Sequence, residues 1–454
     1  MNAPRIAAVS ILGLGGIATY AVNYPGSMEY DSFVQLLEGR NGSYTFWHPP
    51  VMSWMLGVAD TLIGPASAWF MLFDMVLAFG ALISLLWLAR RVAWPVAAAA
   101  VFVLFLPQLF LQQAAVIKDT LFADACLAGF ICLAHAAERW PLRRLRFALL
   151  GASAVFLALA ALTRQNGAVV VPCAAAGLAF IAARQESGWR PGAAYGAGLL
   201  AAVAVLALAA NTALALRWDG SPSRENQIKI LQLYDLTGMA KRNPAVLGIV
   251  ESRSPGLARV IAGEGVRLWS PLKNDTLEVP PIVPVLDETP APVLRHIWLE
   301  AAVRYPGTYL AVRTILFRWV FQPPDVGECN PFYVGEEGDP DDLKTLGLQS
   351  RLDARDHYLL RYGDAFVGTP AYSHGVFSLL GMIVLVVTLR RRRPADLAIA
   401  SMIAAAFVFA ATFFVISIAC DYRYLYVIDL TALAGALYLA ADWDFRIGLV
   451  RHSQ

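Results

Sequence analysis

Runs of roughly 17 to 25 consecutive apolar residues, the length that carries a helix across the hydrocarbon core of a bilayer, recur along this chain. They fall at about 5–22, 67–89, 94–112, 119–137, 147–163, 167–183, 192–215, 373–389, 395–418 and 424–441, ten in all. Short polar turns separate them, apart from the first loop at 23–66 and one far longer segment. Residues 217–372 carry 17 basic and 20 acidic side chains, too polar to span a membrane and too long for a simple loop. The pattern therefore predicts an all-α polytopic membrane protein in three parts. An N-terminal module of about seven helices fills 1–216, with a first outer loop at 23–66; a mostly helical domain fills 217–372; and about three helices fill 373–454. The first run follows one Arg and resembles a secretion signal, but Tyr20, Asn23, Tyr24 and Pro25 behind it supply no small-residue cleavage site. It is read as a retained helix.

Inside the polar segment, helices are expected near 225–241 and 348–366, with a Pro-rich passage (VPPIVPVLDETPAP) between them and an acidic loop (GEEGDPDD) before the second. The stretch HIWLEAAVRYPGTYLAVRTILFRWVF spaces Arg304, Arg313 and Arg318 among apolar and aromatic residues, as a helix lying on a membrane surface would. No internal repeat is evident.

Composition agrees with a membrane solvent: 58% of residues are hydrophobic, 15% are charged and the mean hydropathy is +0.54. A net charge of +2 spread over small Arg clusters excludes nucleic acid as a partner, because phosphate recognition needs a concentrated basic face. Topology explains the clusters. With the N-terminus cytoplasmic, the inner segments hold fifteen basic residues: Arg5, Arg90, Arg91, Arg139, Arg143, Arg144, Arg146, Arg184, Arg190, Arg390 to Arg393, Arg446 and Arg451. The short outer loops hold only Arg40, Lys118, Arg164 and Arg423. The positive-inside rule then places both termini in the cytoplasm and the first loop outside. An Ala-rich composition that favours Arg over Lys suits a bacterial inner membrane. Cys126, Cys132 and Cys173 fall within apolar runs as packing residues, whereas Cys329 and Cys420 lie at the outer face, where a disulfide between them is an option.

Ionisable residues recur at the outer ends of the runs: Glu29 and Asp31 after the first, Lys118 and Asp119 (VIKDTLFAD) at the fourth, Arg164 and Asn166 (LTRQNG) after the fifth, Arg423 and Tyr424 (DYRYLY) before the tenth. Charges at membrane depth are costly and face a cavity or one another. Each has a plain alternative. Arg164 or Arg423 could snorkel to the interface, Lys118 and Asp119 could neutralise neighbours, and the acidic EYD could be a solvated loop. His48 stands before Pro49 and Pro50, which hold it extended without making it catalytic. Asp60, Asp74 and Asp124 read as loop or bundle residues, Asp124 being the most suspect.

Taken in order, these motifs resemble the C-type (GT-C) polytopic glycosyltransferases, in the style of the protein O-mannosyltransferases and the lipid A aminoarabinose transferase. The resemblance covers about the first 170 and the last 40 residues. It implies a polyprenyl-phosphate sugar donor and an acceptor (lipid, glycan or protein) at the outer leaflet. Asp31 then corresponds to the acidic residue that acts as base or orients the acceptor, with Glu29 as its partner, although here Tyr30 separates the two acids. Asp119 corresponds to a second-loop acid, and Lys118, Arg164 and Arg423 to positions suited to the donor phosphate, with His48, Asn166 and Tyr424 lining the substrate. A base for the acceptor and cations for the departing phosphate are what such a displacement requires. A divalent ion (Mg or Mn) between Asp31 and Asp119 is an option, though the three basic residues favour a metal-independent site. Rival classes are a lipid-linked sugar flippase or transporter, which would gather polar residues at the midplane, and a polymerase or ligase of O-antigen type.

Overall fold

The computed structural model describes residues 2–45, 47–89, 92–215 and 224–442. Arg90, Arg91, Arg446, Arg451 and the start of the polar domain at 217 lie outside the described residues. Among the described residues nine helices are long and apolar enough to cross a membrane, and a tenth span is a bent pair. The protein is an integral, all-helical membrane protein, with only isolated β-bridges besides its helices in the described residues.

The Lys118–Glu138 helix is the hub of the bundle, buried along nearly its whole length. Its Ala-rich, Gly-containing surface lets neighbours approach closely. The Ala66–Leu85, Arg143–Thr163, Pro394–Ile416 and Tyr426–Ala441 helices all pack on it.

The run at 94–112 is not one straight span. Pro95–Leu104 and Pro107–Ala114 meet at 65°. Pro107 has no N–H to give to a continuing helix, and it drives Leu106 into an extended conformation (φ −85°, ψ 143°). The break matters for the site, because the chain leaves it as the segment Ala115–Ile117 that runs into Lys118.

The polar domain has its own core. Leu233, Tyr234, Leu236, Met239 and Ala240 line the buried face of the Arg224–Arg242 helix against the Ala291–Arg304 helix. The stretch expected to be one surface helix is two, Ala291–Arg304 and Pro306–Phe321, split at Pro306. Arg313 does not snorkel. It is fully buried, its Nη2 is 2.5 Å from Asp235 Oδ2, and its Nη1 donates to the Ser417 carbonyl at 2.8 Å. Part of the acidic loop is helical (Pro340–Leu346), capped by Asp339, and the helix expected at 348–366 is confined to Ala354–Asp364.

Candidate functional site

Three pieces of chain meet at the end of the bundle that carries the polar domain. The first is the loop after the Ala3–Asn23 helix. Its backbone is stitched to the segment leading into Lys118: Ser27 N donates to the Ala114 carbonyl (2.9 Å), Val116 N donates to the Ser27 carbonyl (2.9 Å), and Ser32 Oγ donates to the Val116 carbonyl (2.6 Å). Glu29 caps the Tyr30–Asn41 helix in a reciprocal arrangement with Ser32, and Asp31 sits in its first turn. Carboxylates there are favoured by the unpaired N–H groups and dipole of a helix N-terminus. Asp31 and Lys118, 87 residues apart in sequence, thereby meet at 3.1 Å.

The second piece is the return limb of the same loop. The Tyr30–Asn41 helix lies so close on the Pro50–Leu62 helix that a side chain at Gly39 or Gly57 would collide with the opposite backbone. Glu38 is buried between them. It accepts from Thr45 N (3.1 Å), Thr45 Oγ (2.5 Å) and Ser53 Oγ (2.7 Å), which pins the limb that carries His48. Pro50, at the first helical position, starts the next helix where its missing N–H costs nothing. His48 is thus delivered to Lys118, whose Nζ lies 2.9 Å from Nδ1. An ammonium only donates, so Nδ1 accepts and Nε2 keeps its hydrogen, facing Asp31 Oδ1 at 3.9 Å.

The third piece is the short Tyr422–Leu425 turn, capped by Asp421. Arg423 reaches Glu29 Oε1 (2.5 Å) and Asp31 Oδ2 (3.0 Å) with its two terminal nitrogens, and its Nε reaches Asp421 Oδ2 (2.9 Å) and approaches Asp119 Oδ2 (3.7 Å). Asp119 is closed off beneath by an ion pair with Arg164. The Arg164 guanidinium in turn lies over the rings of Tyr424 (5.2 Å), Phe413 (5.5 Å) and Phe409 (5.9 Å).

Four carboxylates therefore face three cations. Burial opposes the charge of Asp31, but Lys118 and Arg423 outweigh it and hold the carboxyl well below the usual range. Burial and the Lys118 charge push His48 down to about 3 against the pull of Asp31, so it is neutral at physiological pH. Asp421 goes the other way. Its burial raises it to about 6, in spite of Arg423 and the hydrogen bond from Tyr333. Of the four acids Asp31 has the most open side chain, at 24% exposure against 14% for Glu29, 8% for Asp421 and 1% for Asp119.

The cluster opens on a cavity of about 510 Å³ between the loop and three helix ends. Thr45, His48, Arg164 and Gln165 form its polar side, and Ala161, Leu162, Leu214 and Ile228 its apolar side.

Most residues expected at the site are brought together there: Glu29, Asp31, His48, Lys118, Asp119, Arg164 and Arg423. Tyr424 serves as a ring beneath Arg164. Asn166 turns away, its amide donating to Thr412 Oγ1 at 2.8 Å. Sequence reasoning missed Asp421 and Tyr333. Tyr333 is carried in by the Cys329–Cys420 disulfide (Cα–Cα 5.1 Å), and its phenol donates to Asp421 Oδ2 at 2.8 Å. The DYRYLY motif contained the acid, and Cys420 beside it was the available signal.

No family model and no curated protein matches the chain. Among solved structures, it is similar to the archaeal oligosaccharyltransferase AglB from Archaeoglobus fulgidus in complex with an inhibitory peptide and a dolichol-phosphate. That match has 14% identity and a TM-score of 0.43, over 96% of this chain and 50% of the other. It is also similar to ArnT from Cupriavidus metallidurans in the apo state, with 14% identity and a TM-score of 0.35, over 95% and 77%. The chain spans about half the length of the oligosaccharyltransferase it matches. The functional reading accordingly rests on the side chains of the site.

Proposed function

We propose that this protein is a membrane glycosyltransferase that moves a sugar from a polyprenyl-phosphate-linked donor to an acceptor on the extracytoplasmic face, with inversion at the anomeric carbon. The observation that carries the reading is the carboxylate of Asp31, the most open of the four acids, held by Lys118 and Arg423 in a cluster whose His48 and Arg164 line a cavity with one polar and one apolar side. The apolar side suits the polyprenyl chain, and Arg164, Lys118 and His48 suit the phosphate.

In the displacement, the acceptor hydroxyl or amine gives its proton to Asp31 Oδ1 as its oxygen or nitrogen bonds to the anomeric carbon. The bond from that carbon to the phosphate oxygen breaks, and polyprenyl phosphate leaves with the electron pair. Cations held in place beforehand stabilise that growing charge without reorganising, and Arg binds it through a planar fork that keeps its proton. The strongly acidic state of Asp31 in the free protein is part of this reading. A donor phosphate set against Lys118 and Arg164 offsets their charge where they stand, so the carboxylate feels less of it and its proton affinity rises when the base is needed.

The same reading makes the reaction independent of metal. The guanidinium of Arg423 spans Asp31 and Asp119, so the two carboxylates do not fit as joint ligands of a divalent ion. Buried Asp119 is a counter-ion for Arg164.

The test is sugar transfer from a polyprenyl-phosphate sugar pool by the purified chain in liposomes, with the natural protein, Asp31→Asn and Glu29→Gln compared with and without a chelator. Loss of transfer in Asp31→Asn with donor binding retained, and no chelator effect, is the expected result. Normal transfer by Asp31→Asn, or a natural protein that only moves lipid across the bilayer, overturns the reading.

A further inference from the structure

A second cavity, of about 190 Å³, lies inside the edge of the polar domain. It is separated from the first by one layer of chain. His48 lines the first cavity and Trp47 the second; on the Arg224–Arg242 helix, Gln227 and Ile228 line the first, and Asn226, Lys229 and Ile230 the second. The far wall of the second cavity, Asn274 to Glu278, is tied to the reaction centre. Lys273 pairs with Ala419, and Cys420 N, one residue before Asp421, donates to the Leu272 carbonyl at 2.6 Å. Glu278 also lies near enough to the Tyr30 phenol, next to Asp31, for its charge to bear on it. The second cavity is therefore tied to the chain that carries Asp421 and lies near the start of the helix that carries Asp31.

Its lining is specific in kind. Leu233, Leu277 and Leu286 make an apolar floor. Trp47 stands at the rim with 40% of its surface open, fixed through its backbone because the Gln165 amide donates to the Trp47 carbonyl at 3.0 Å. Lys229 is 94% buried (6% exposed), yet its ammonium makes no ion pair among the described residues. One hydrogen goes to the Asp287 carbonyl at 3.2 Å, leaving further donors toward the cavity. Asn274, also buried, donates from Nδ2 to Glu278 Oε1 at 3.0 Å, which leaves its carbonyl oxygen as an acceptor. A rigid indole face, an apolar floor and a mixed set of donors and acceptors in a space the size of one ring match a molecule with one C–H face and a rim of hydroxyl groups.

We infer that this cavity binds a pyranose of the acceptor, stacked on Trp47 and hydrogen-bonded by Lys229, Asn274 and Glu278, so that the acceptor is a glycan. The role as acceptor rests on the transferase reading above; the binding itself does not.

The experiment is saturation-transfer NMR on the full chain in detergent micelles with a panel of methyl pyranosides. At least one gives a signal with the natural protein and with Asp31→Asn. That signal weakens about tenfold or more in Trp47→Ala, falls in Lys229→Met, and persists in Trp47→Phe, which keeps a ring at the rim. In the transfer assay Trp47→Ala raises KM for the acceptor and leaves KM for the donor unchanged. A panel without any signal, or a signal unaffected by Trp47→Ala, overturns the inference. Transfer by Trp47→Ala with an unchanged acceptor KM overturns it while sparing the transferase reading; pyranoside binding by a protein that transfers nothing has the reverse meaning.

Discussion

Two arginines in this molecule meet aspartates at similar distances, and their surroundings differ. Arg313 and Asp235 are both fully buried, and Trp298 Nε1 also donates to Asp235 at 2.9 Å. With its second contact to Ser417, Arg313 sews the polar domain to the end of the Pro394–Ile416 helix. Arg423 instead faces Glu29, Asp31, Asp421 and Asp119, with Lys118 and Arg164 close by and a cavity alongside. One pair is closed, with one cation for one anion. The other is a crowded set whose charge a ligand beside it can share. Proximity of an Arg and an Asp thus says little about function; openness and surplus charge say more.

The comparison can be broken first at Asp31. Asp31→Asn keeps the shape of the side chain and removes the base, so transfer falls by about 10²- to 10⁴-fold, while the thermal midpoint in detergent stays close to that of the natural protein. Unfolding of this variant would place Asp31 in the same class as Asp235. Arg313→Leu gives the opposite split. Leaving Asp235 buried and unpaired costs about 3–5 kcal/mol, read as a large drop in thermal midpoint, and replacing both partners by apolar residues recovers most of that loss.

Arg164→Met and Lys118→Met sharpen the contrast from the cationic side. Each raises KM for the donor and lowers kcat, by about 10²-fold where a charge-stabilising donor is lost. Arg164→Lys recovers only part, since it keeps the charge without the fork. A single-turnover assay separates the two effects.

The smallest effect is a pH slope. His48 has a folded pKa of about 3 against about 6.5 in an unfolded chain. Between those values the unfolded state takes up a proton that the folded state refuses. Stability is complete above about pH 6.5 and is lost as pH falls, by up to about 1.4 kcal/mol per unit. Thermal midpoints from pH 7 to pH 4.5 should fall less steeply in His48→Asn. Equal slopes would show that His48 takes no part in this dependence.

Much of the site could be read in the sequence because charged residues among apolar runs are few. Asp31, Lys118, Arg164 and Arg423 each stand beside the end of a run, and a bilayer tolerates them there only beside one another or beside water. Their division of labour could not be read. That Asp119 is sealed by Arg164, that Asn166 faces Thr412, and that Tyr333 arrives beside Asp421 all depend on contacts between residues far apart in the chain.

The sequence by itself determined the spans, since a bilayer's thickness sets how many apolar residues a helix needs, and it determined which ends of those spans carry charge. Tertiary structure decided what bends and what pairs. Both Pro107 and Pro306 interrupt helices, but the angle and the partners at each break come from packing. Burial then fixed which carboxylate is closed, which is raised and which is left open, because the free energy of a charge depends on the neighbours that folding brings within a few ångströms of it.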